Sequence, residues 1–464
     1  MKIKITKLLN SKRRWCVCLL SLIFLACELP DYSGSKEDLS FTEYEEFSLS
    51  SIKASSTEVA ERINSSSFLR GFDVSTLYDL ERYGASFYNN ENKKEDMLKI
   101  LADNGVNCVR IRIWNDPYNA NSTPSLANYG YNTLEKAAII GARAKSYGLK
   151  VWIDFHYSDT WAHPGQQLCP AVWDNYTEID ALAQAVSDYT EKSLAYLKAN
   201  GAAADFVQIG NEIDSGMFLT SSKNKSAKVT AKLNTEELAK ILNSASSAVK
   251  KVDKEIEVII HVANPAYYTR ITELSGLESD NYDAIGISYY PCDNGREISV
   301  LKNSVSGIVG KGKKAYVAET SFPWTCEYVD GKNDDMSNTV YYTNDDSKGS
   351  SVAKATSNFS DVIKKYEIST KLHNGAKIIN PIYENQARII KTIIAEVAEN
   401  GGSGVFYWGG DWVCTTDIPS SWENQTLFDL DGKVLPSIKA FSVKAEYESE
   451  KIKLKSLKRQ WSEF

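Results

Sequence analysis

The sequence predicts one α/β domain, a single (β/α)8 TIM barrel, and three observations carry that expectation. Eight short runs rich in β-branched and aromatic residues recur between Leu69 and Gly410. Longer segments with apolar residues at three-to-four spacing separate them, the pattern of strands alternating with amphipathic helices. There is no second cluster of elements and no glycine-rich phosphate loop, which disfavours the alternative of a doubly wound open sheet.

Taken in order, the strands are expected within "RGFDVST", "CVRIRIW", "KVWIDFHY", "DFVQIGNE", "EVIIHVAN", "YDAIGISYYP", "KAYVAETSF" and "GVFYWGG". Between them, "TLEKAAIIGARAKSYG", "IDALAQAVSDYTEKSLAYLKANG" and "NQARIIKTIIAEVAENG" carry helical periodicity. Each closes on a glycine (Gly148, Gly201, Gly401), the residue that takes the left-handed conformation just past a helix at least cost.

The flanks read differently. "MKIKITKLLNSKRRW" is a basic n-region and "CVCLLSLIFLA" an apolar stretch too short to span a bilayer comfortably. It runs into Cys27, with Phe24 at the −3 position, and resembles a bacterial lipobox. The expectation is a signal peptide over 1–27 and an exported lipoprotein, anchored through Cys27 at the cell surface or in the periplasm. Ordinary cleavage and an uncleaved anchor are the alternatives. Residues 28–68, rich in Ser and Glu, are expected to be a flexible tether, 69–441 the barrel, and 442–464 a charged tail.

With 60 acidic against 53 basic residues the net charge is −7, which offers no footprint for nucleic acid. The 26 Tyr and 10 Trp suit a carbohydrate cleft, where flat rings stack on sugar faces, and equally a large core. Of eight cysteines, Cys16, Cys18 and Cys27 fall in the leader. The other five show no C-x-x-C spacing, so a zinc site built on cysteine is not expected.

A barrel places its chemistry at the C-terminal ends of the strands. Those ends read Asp73, Arg110 with Arg112, His156 with Asp159, Asn211 with Glu212, Asn264, Tyr289 with Tyr290, Glu319 and Trp408. Glu212 ends the fourth strand and Glu319 the seventh. A lone glutamate there is ordinarily a solvated carboxylate or a cap; two across one mouth suit retaining glycoside hydrolysis. One carboxylate attacks the anomeric carbon and the other exchanges protons with the leaving oxygen and water, about 5 Å away. Burial and a like charge keep the acid protonated. Arg110 is placed to orient the nucleophile, and Asn211 to bond the sugar 2-hydroxyl.

"QIGNE" with "AET" resembles the clan of retaining barrel glycosidases. "RGFDVS", "GVNCVRIRIWNDPY", "VWIDFHYSDTWAHPG", "QIGNEIDSGM", "ISYYP", "VAETS", "VFYW" and "NQTLFDLDGKVLPSIKAF" resemble the endo-β-1,4-galactanases of glycoside hydrolase family 53. The resemblance spans residues 69 to 441. It implies Glu212 as acid/base and Glu319 as nucleophile, Tyr290 beside the nucleophile, Trp408 as the platform under the sugar, and His156, Asp159 and Trp161 lining the cleft. His156 could equally be a satisfied structural histidine, and Trp161 could be packing.

Two positions depart from the family. Its strand-eight W-E-P-A-W is "WGGDW" here, and the acid of its third-loop "WADPG" is His163, which touches subsite preference before hydrolysis. Some bacterial relatives bind calcium where the seventh and eighth loops meet. Asp334, Asn338 and Glu423 are the candidate ligands for a structural calcium, a solvated acidic loop being the alternative. Cys326 and Cys414 open those two loops and are candidates for a disulfide. No cofactor is required for the reaction. The expected function is endo-cleavage of β-1,4-galactan by a monomer; a mannan- or xylan-cutting relative and a non-catalytic surface glycan-binding lipoprotein are the alternatives.

Overall fold

The computed structural model describes residues 47–119, 131–222, 226–291, 298–325, 369–373, 376–379, 382–415, 420 and 422–448. Eight strands form a closed parallel barrel: β1 (Leu69–Asp73), β2 (Cys108–Ile113), β3 (Lys150–Phe155), β4 (Phe206–Ile209), β5 (Glu257–Val262), β6 (Ala284–Ser288), β7 (Lys314–Thr320) and β8 (Gly404–Tyr407). Seven strands fall within their predicted runs and β1 begins one residue before its own, at Leu69; each pairs with its sequence neighbours, β8 closing onto β1. The helices between them are capped as their sequences allow. Thr133 and Thr235 accept from the backbone N–H three residues on, and Gly148, Gly201 and Gly401 take positive φ past helix ends. Among the described residues no helix is long and apolar enough to cross a membrane.

Two apolar layers hold the barrel. One lies between strands and helices. The other fills the lumen with Trp152, Phe206, Tyr316 and Phe406, joined by Leu69, Cys108, Ile259, Ala284 and Ala318. The ring of Phe406 lies 2.0 Å from where a β-carbon on Gly71 would stand, so only glycine leaves β1 room for the plug. Because inward positions alternate along a strand, the residues two or four places above this plug also face the lumen. Those are Asp73, Arg110, Asp154, Gln208, His261 and Ser288, all buried. The barrel is thus oily below and ionic above.

The expected tether over 28–68 needs correction in its described part. Ile52–Lys53 pairs in parallel with Ala445–Glu446, inside the expected tail, and Thr57–Asn64 is a helix. Ser56 caps that helix, while Val59, Ala60 and Ile63 bury one face of it. Asn64 donates to the Ala445 carbonyl at 2.9 Å and accepts from its N–H at 3.0 Å. The Ser55 hydroxyl bonds the Glu399 carboxylate, and Arg62 reaches the Ala398 carbonyl at 2.8 Å. The partners lie more than 300 residues away, so local composition reads as linker where the fold makes a clasp joining both ends of the barrel.

The clasp predicts that Asn64→Ala loses about 1–3 kcal/mol of unfolding free energy, since two backbone groups of Ala445 lose their partner. Urea unfolding measures this, and turnover by the folded fraction is expected to be unchanged.

Candidate active site

At the top of the lumen sits Arg110, fully buried on β2. Its Nη1 lies 3.0 Å from Asp73 Oδ2 and 2.9 Å from Glu319 Oε1, and its Nη2 lies 2.9 Å from Asp154 Oδ2. It also donates to Gln208 Oε1 at 3.1 Å and Asn211 Oδ1 at 2.9 Å. Burial alone would lower its pKa. The carboxylates of Asp154, Glu319 and Asp73 outweigh that and hold it above the ordinary arginine value. Asp154 is raised by burial and brought back below the ordinary aspartate value, chiefly by Arg110.

Glu319 reaches this group through a slip in the sheet. Tyr316 and Ala318 face the lumen and Val317 the outer layer, so strict alternation would turn Glu319 away. Val317 pairs with Ile287, but Glu319 pairs with Ser288, and towards β8 the pairing jumps from Val317 to Thr320. A bulge of this kind re-aims one side chain. Tyr290 then donates to Glu319 Oε2 at 3.0 Å.

Glu212 follows the end of β4 by a tight reversal in which Gly210 (φ 90°) and Glu212 itself (φ 48°) are left-handed. For a glutamate that backbone costs on the order of 1–3 kcal/mol. Its Oε1 lies 2.7 Å from Ser288 Oγ. One oxygen of Glu212, one of Glu319 and a ring nitrogen of His261 lie within 4.8 Å of one another. Burial first, then the charge of Glu319, push Glu212 well above the usual carboxylate range. Burial also lifts Glu319, but the Arg110 guanidinium opposes it, so of the two Glu212 is the one that keeps a proton.

Among the described residues, Glu212, His261 and Glu319 are also the one group close enough to hold a metal ion. Both ring nitrogens of His261 are engaged, Nε2 with Ser288 Oγ at 3.1 Å and Nδ1 with Asn211 Oδ1 at 2.9 Å. That suits a hydrogen-bonded acid pair better than a ligand set. Of the calcium candidates, Asp334 and Asn338 lie outside the described residues, as do Cys27 and Cys326. Glu423 is buried in a short turn whose carbonyl accepts from Trp324 Nε1 at 3.3 Å.

The third loop divides the expected cleft residues. His156 is buried, its Nε2 3.2 Å from Asp154 and its Nδ1 accepting from Ala162 N at 3.0 Å, which is the arrangement of a satisfied structural histidine. Asp159 takes the N–H groups of Asp116 and Ala171 at 2.9 and 2.8 Å, tying two loops together rather than facing a ligand; burial lifts it to about 6. Trp161 is half-buried, with the Arg112 guanidinium 4.2 Å from its ring centre. It joins Trp408 (6.2 Å between ring centres) and Trp412 (6.0 Å) in an aromatic wall. Trp422, unforeseen in the sequence, extends the wall from Trp408 (5.1 Å) towards Tyr290 (6.4 Å). The departure at Gly409 explains its place: a β-carbon there would stand 2.4 Å from the Trp422 ring.

Asp154, Gln208, His261 and Ser288 also went unforeseen as site residues. Their signal was a polar residue at an inward position of an otherwise apolar strand.

The family model described as Glycosyl hydrolase family 53 matches residues 69–441. An endo-β-1,4-galactanase of Bacillus subtilis (strain 168) is 30% identical over 391 residues, covering 82% of this chain and 78% of that protein. An arabinogalactan endo-β-1,4-galactanase of Cellvibrio japonicus (strain Ueda107) is 29% identical over 401 residues, 82% of this chain and 92% of its own. The solved family 53 catalytic domain of Ignisphaera aggregans superposes with a TM-score of 0.64 at 32% identity, over 82% of this chain and 97% of that one. With the barrel, the carboxylate pair and a family match over the whole barrel segment in agreement, the chain belongs to glycosyl hydrolase family 53.

Proposed function

We propose that the protein is an endo-acting, retaining hydrolase of β-1,4-galactan, the type I arabinogalactan side chain of pectin. The carrying observation is the pair of carboxylates within 4.8 Å, one ion-paired to Arg110 and bonded by Tyr290, the other raised by burial. A gap of that size suits a nucleophile and leaves no room for an attacking water between the groups. Glycosidase chemistry comes with family membership, and the relatives named as galactanases support the substrate.

In this reading Glu319, kept ionised and aimed by Arg110, attacks the anomeric carbon while Glu212 gives its proton to the departing glycosidic oxygen. Glu212, now a carboxylate, takes a proton from water, which attacks the glycosyl–Glu319 ester and restores the original configuration. Asn211 gives one amide hydrogen to the Ala162 carbonyl at 2.8 Å, which leaves its second for the sugar 2-hydroxyl. Trp408 and Trp161 supply the stacking faces. His156 and Asp159 act behind them as supports. All these residues come from one chain, so the reading needs no partner subunit to complete the site. The leader ending at Cys27 supports export with a lipid anchor.

Purified protein is expected to release reducing ends from β-1,4-galactan and not from mannan or xylan. Glu212→Gln and Glu319→Gln should each lose two to four powers of ten in kcat or more; either variant retaining near-wild-type turnover overturns the assignment. Glu319→Ala with azide should regain activity and yield a glycosyl azide of inverted configuration, whereas Glu212→Ala with azide should give a retained one. The rate should fall as pH rises through the raised Glu212 pKa, because the acid must arrive protonated, and fall at low pH as Glu319 takes a proton. A kcat/KM profile from pH 4 to 10 measures both limbs.

A further inference from the structure

Glu212 ends a hydrogen-bonded chain that runs through Ser288 and His261 to Asn211, and the polarity of that chain can be worked out from its far end. Asn211 is fixed in orientation, because its Nδ2 faces the Ala162 carbonyl at 2.8 Å and its Oδ1 faces Arg110 Nη2 at 2.9 Å. Arginine only donates and a carbonyl only accepts, so the amide cannot be turned over. His261 Nδ1 lies 2.9 Å from that same Oδ1. Two lone pairs do not approach so closely, and Asn211 Oδ1 carries no hydrogen, so Nδ1 does.

Gln208 cannot take over this role. Its Oε1 accepts from Arg110, and although its Nε2 also lies 3.2 Å from His261 Nδ1, its two hydrogens have the shorter contacts, the Gly210 carbonyl and Asn211 Oδ1, each at 3.0 Å. His261 is fully buried, which together with the nearby Arg110 charge keeps it neutral, so its Nε2 bears a lone pair. Ser288 Oγ, 3.1 Å from that nitrogen, donates to Glu212 Oε1 when that carboxyl is ionised and can turn its hydrogen to His261 Nε2 when Glu212 is protonated. What Ser288 then offers Glu212 Oε1, across 2.7 Å, is an acceptor. With Glu212 carrying the proton, both of these contacts are satisfied at once.

We propose that Ser288 and His261 are positioning residues that hold the catalytic proton on Glu212, by presenting it with an acceptor whose direction is set by Asn211 and Arg110. The proposal rests on the acid/base role given to Glu212 above. Arg110 thereby acts on both carboxylates. It pairs directly with Glu319 and favours its charge; its charge also draws Glu212 down, and only through the orientation it imposes on Asn211, His261 and Ser288 does it favour the neutral acid. When the proton leaves for the glycosidic oxygen, Ser288 must turn its hydroxyl to Glu212 and leave His261 Nε2 without a donor. The charged state is thus the less satisfied one, and the reprotonating step is favoured.

The other groups facing this chain are Glu319, Asp214, Arg110 and Tyr290 around Glu212, and Arg110, Asp154 and His156 around His261. None of them is altered by substituting Ser288. Two measurements test the proposal. Long-range 15N–1H correlation spectra of the four histidines in the wild type, with His261 assigned by His261→Gln, should show His261 as the neutral Nδ1–H tautomer on the acid side of the alkaline limb. An Nε2–H tautomer there overturns the proposal, with or without enzymatic activity, so its failure is separable from that of the galactanase reading. The second is the pH profile of kcat/KM. Ser288→Ala should move the alkaline limb down by about half to one pH unit, and Ser288→Thr, which keeps the hydroxyl, should restore it. If donation by Ser288 to the ionised carboxylate outweighs this, Ser288→Ala moves that limb up. A loss of kcat with no movement of the limb reduces Ser288 to packing, and either outcome overturns the proposal.

Discussion

Everything at the mouth of this barrel depends on one buried cation. Arg110 stands among Asp73, Asp154 and Glu319, with no solvent to screen it. Removing a charge from such a group costs several kcal/mol, because the partners are left buried and unpaired. Its planar fork also fixes direction, since the guanidinium reaches a carboxylate on three strands and an amide on or beside the fourth. A lysine could supply the charge, but not the geometry. The arginine is therefore a structural keystone and an electrostatic one at once, and the strands it joins are the ones whose ends carry the chemistry.

The lumen explains why that cation can be there at all. Trp152, Phe206, Tyr316 and Phe406 close the barrel from below, so the ionic layer rests on a dry floor. In that setting each charge interacts more strongly than in water and each unpaired group costs more. The bulge in β7 and the left-handed turn after β4 are local distortions that bring two carboxylates over this floor from strands that would otherwise turn them aside or leave them short.

Much of this was legible in the sequence, and the boundary between legible and hidden is physical. All eight strands showed through their β-branched runs, and the rim residues followed from where those runs end. Glu212, Glu319, Arg110 and Tyr290 do come together there. Hidden were relations that no local pattern encodes. The clasp links Ile52 to Ala445, and neither residue hints at the other. Gln208, His261 and Ser288 were visible as polar residues inside apolar strands, but their joining into one chain depends on register across the barrel. His156 and Asp159 stood in the right loop and proved to be its fastenings, since a side chain's direction is set by which N–H groups lie in reach. Trp422 was hidden because its position is fixed by the space a glycine leaves open.

The left-handed backbone at Glu212 carries a consequence for how such a protein changes over generations. Glycine or asparagine would sit more comfortably at φ 48° than glutamate does, and either would remove a buried carboxyl from beside a like charge. The acid is thus held at its post against the preference of the fold. Selection for a sturdier barrel alone would have no reason to keep it, and its loss would leave the aromatic wall intact. A protein that only grips its polysaccharide is one codon-scale step away, and what keeps this chain from taking it is demand for the product.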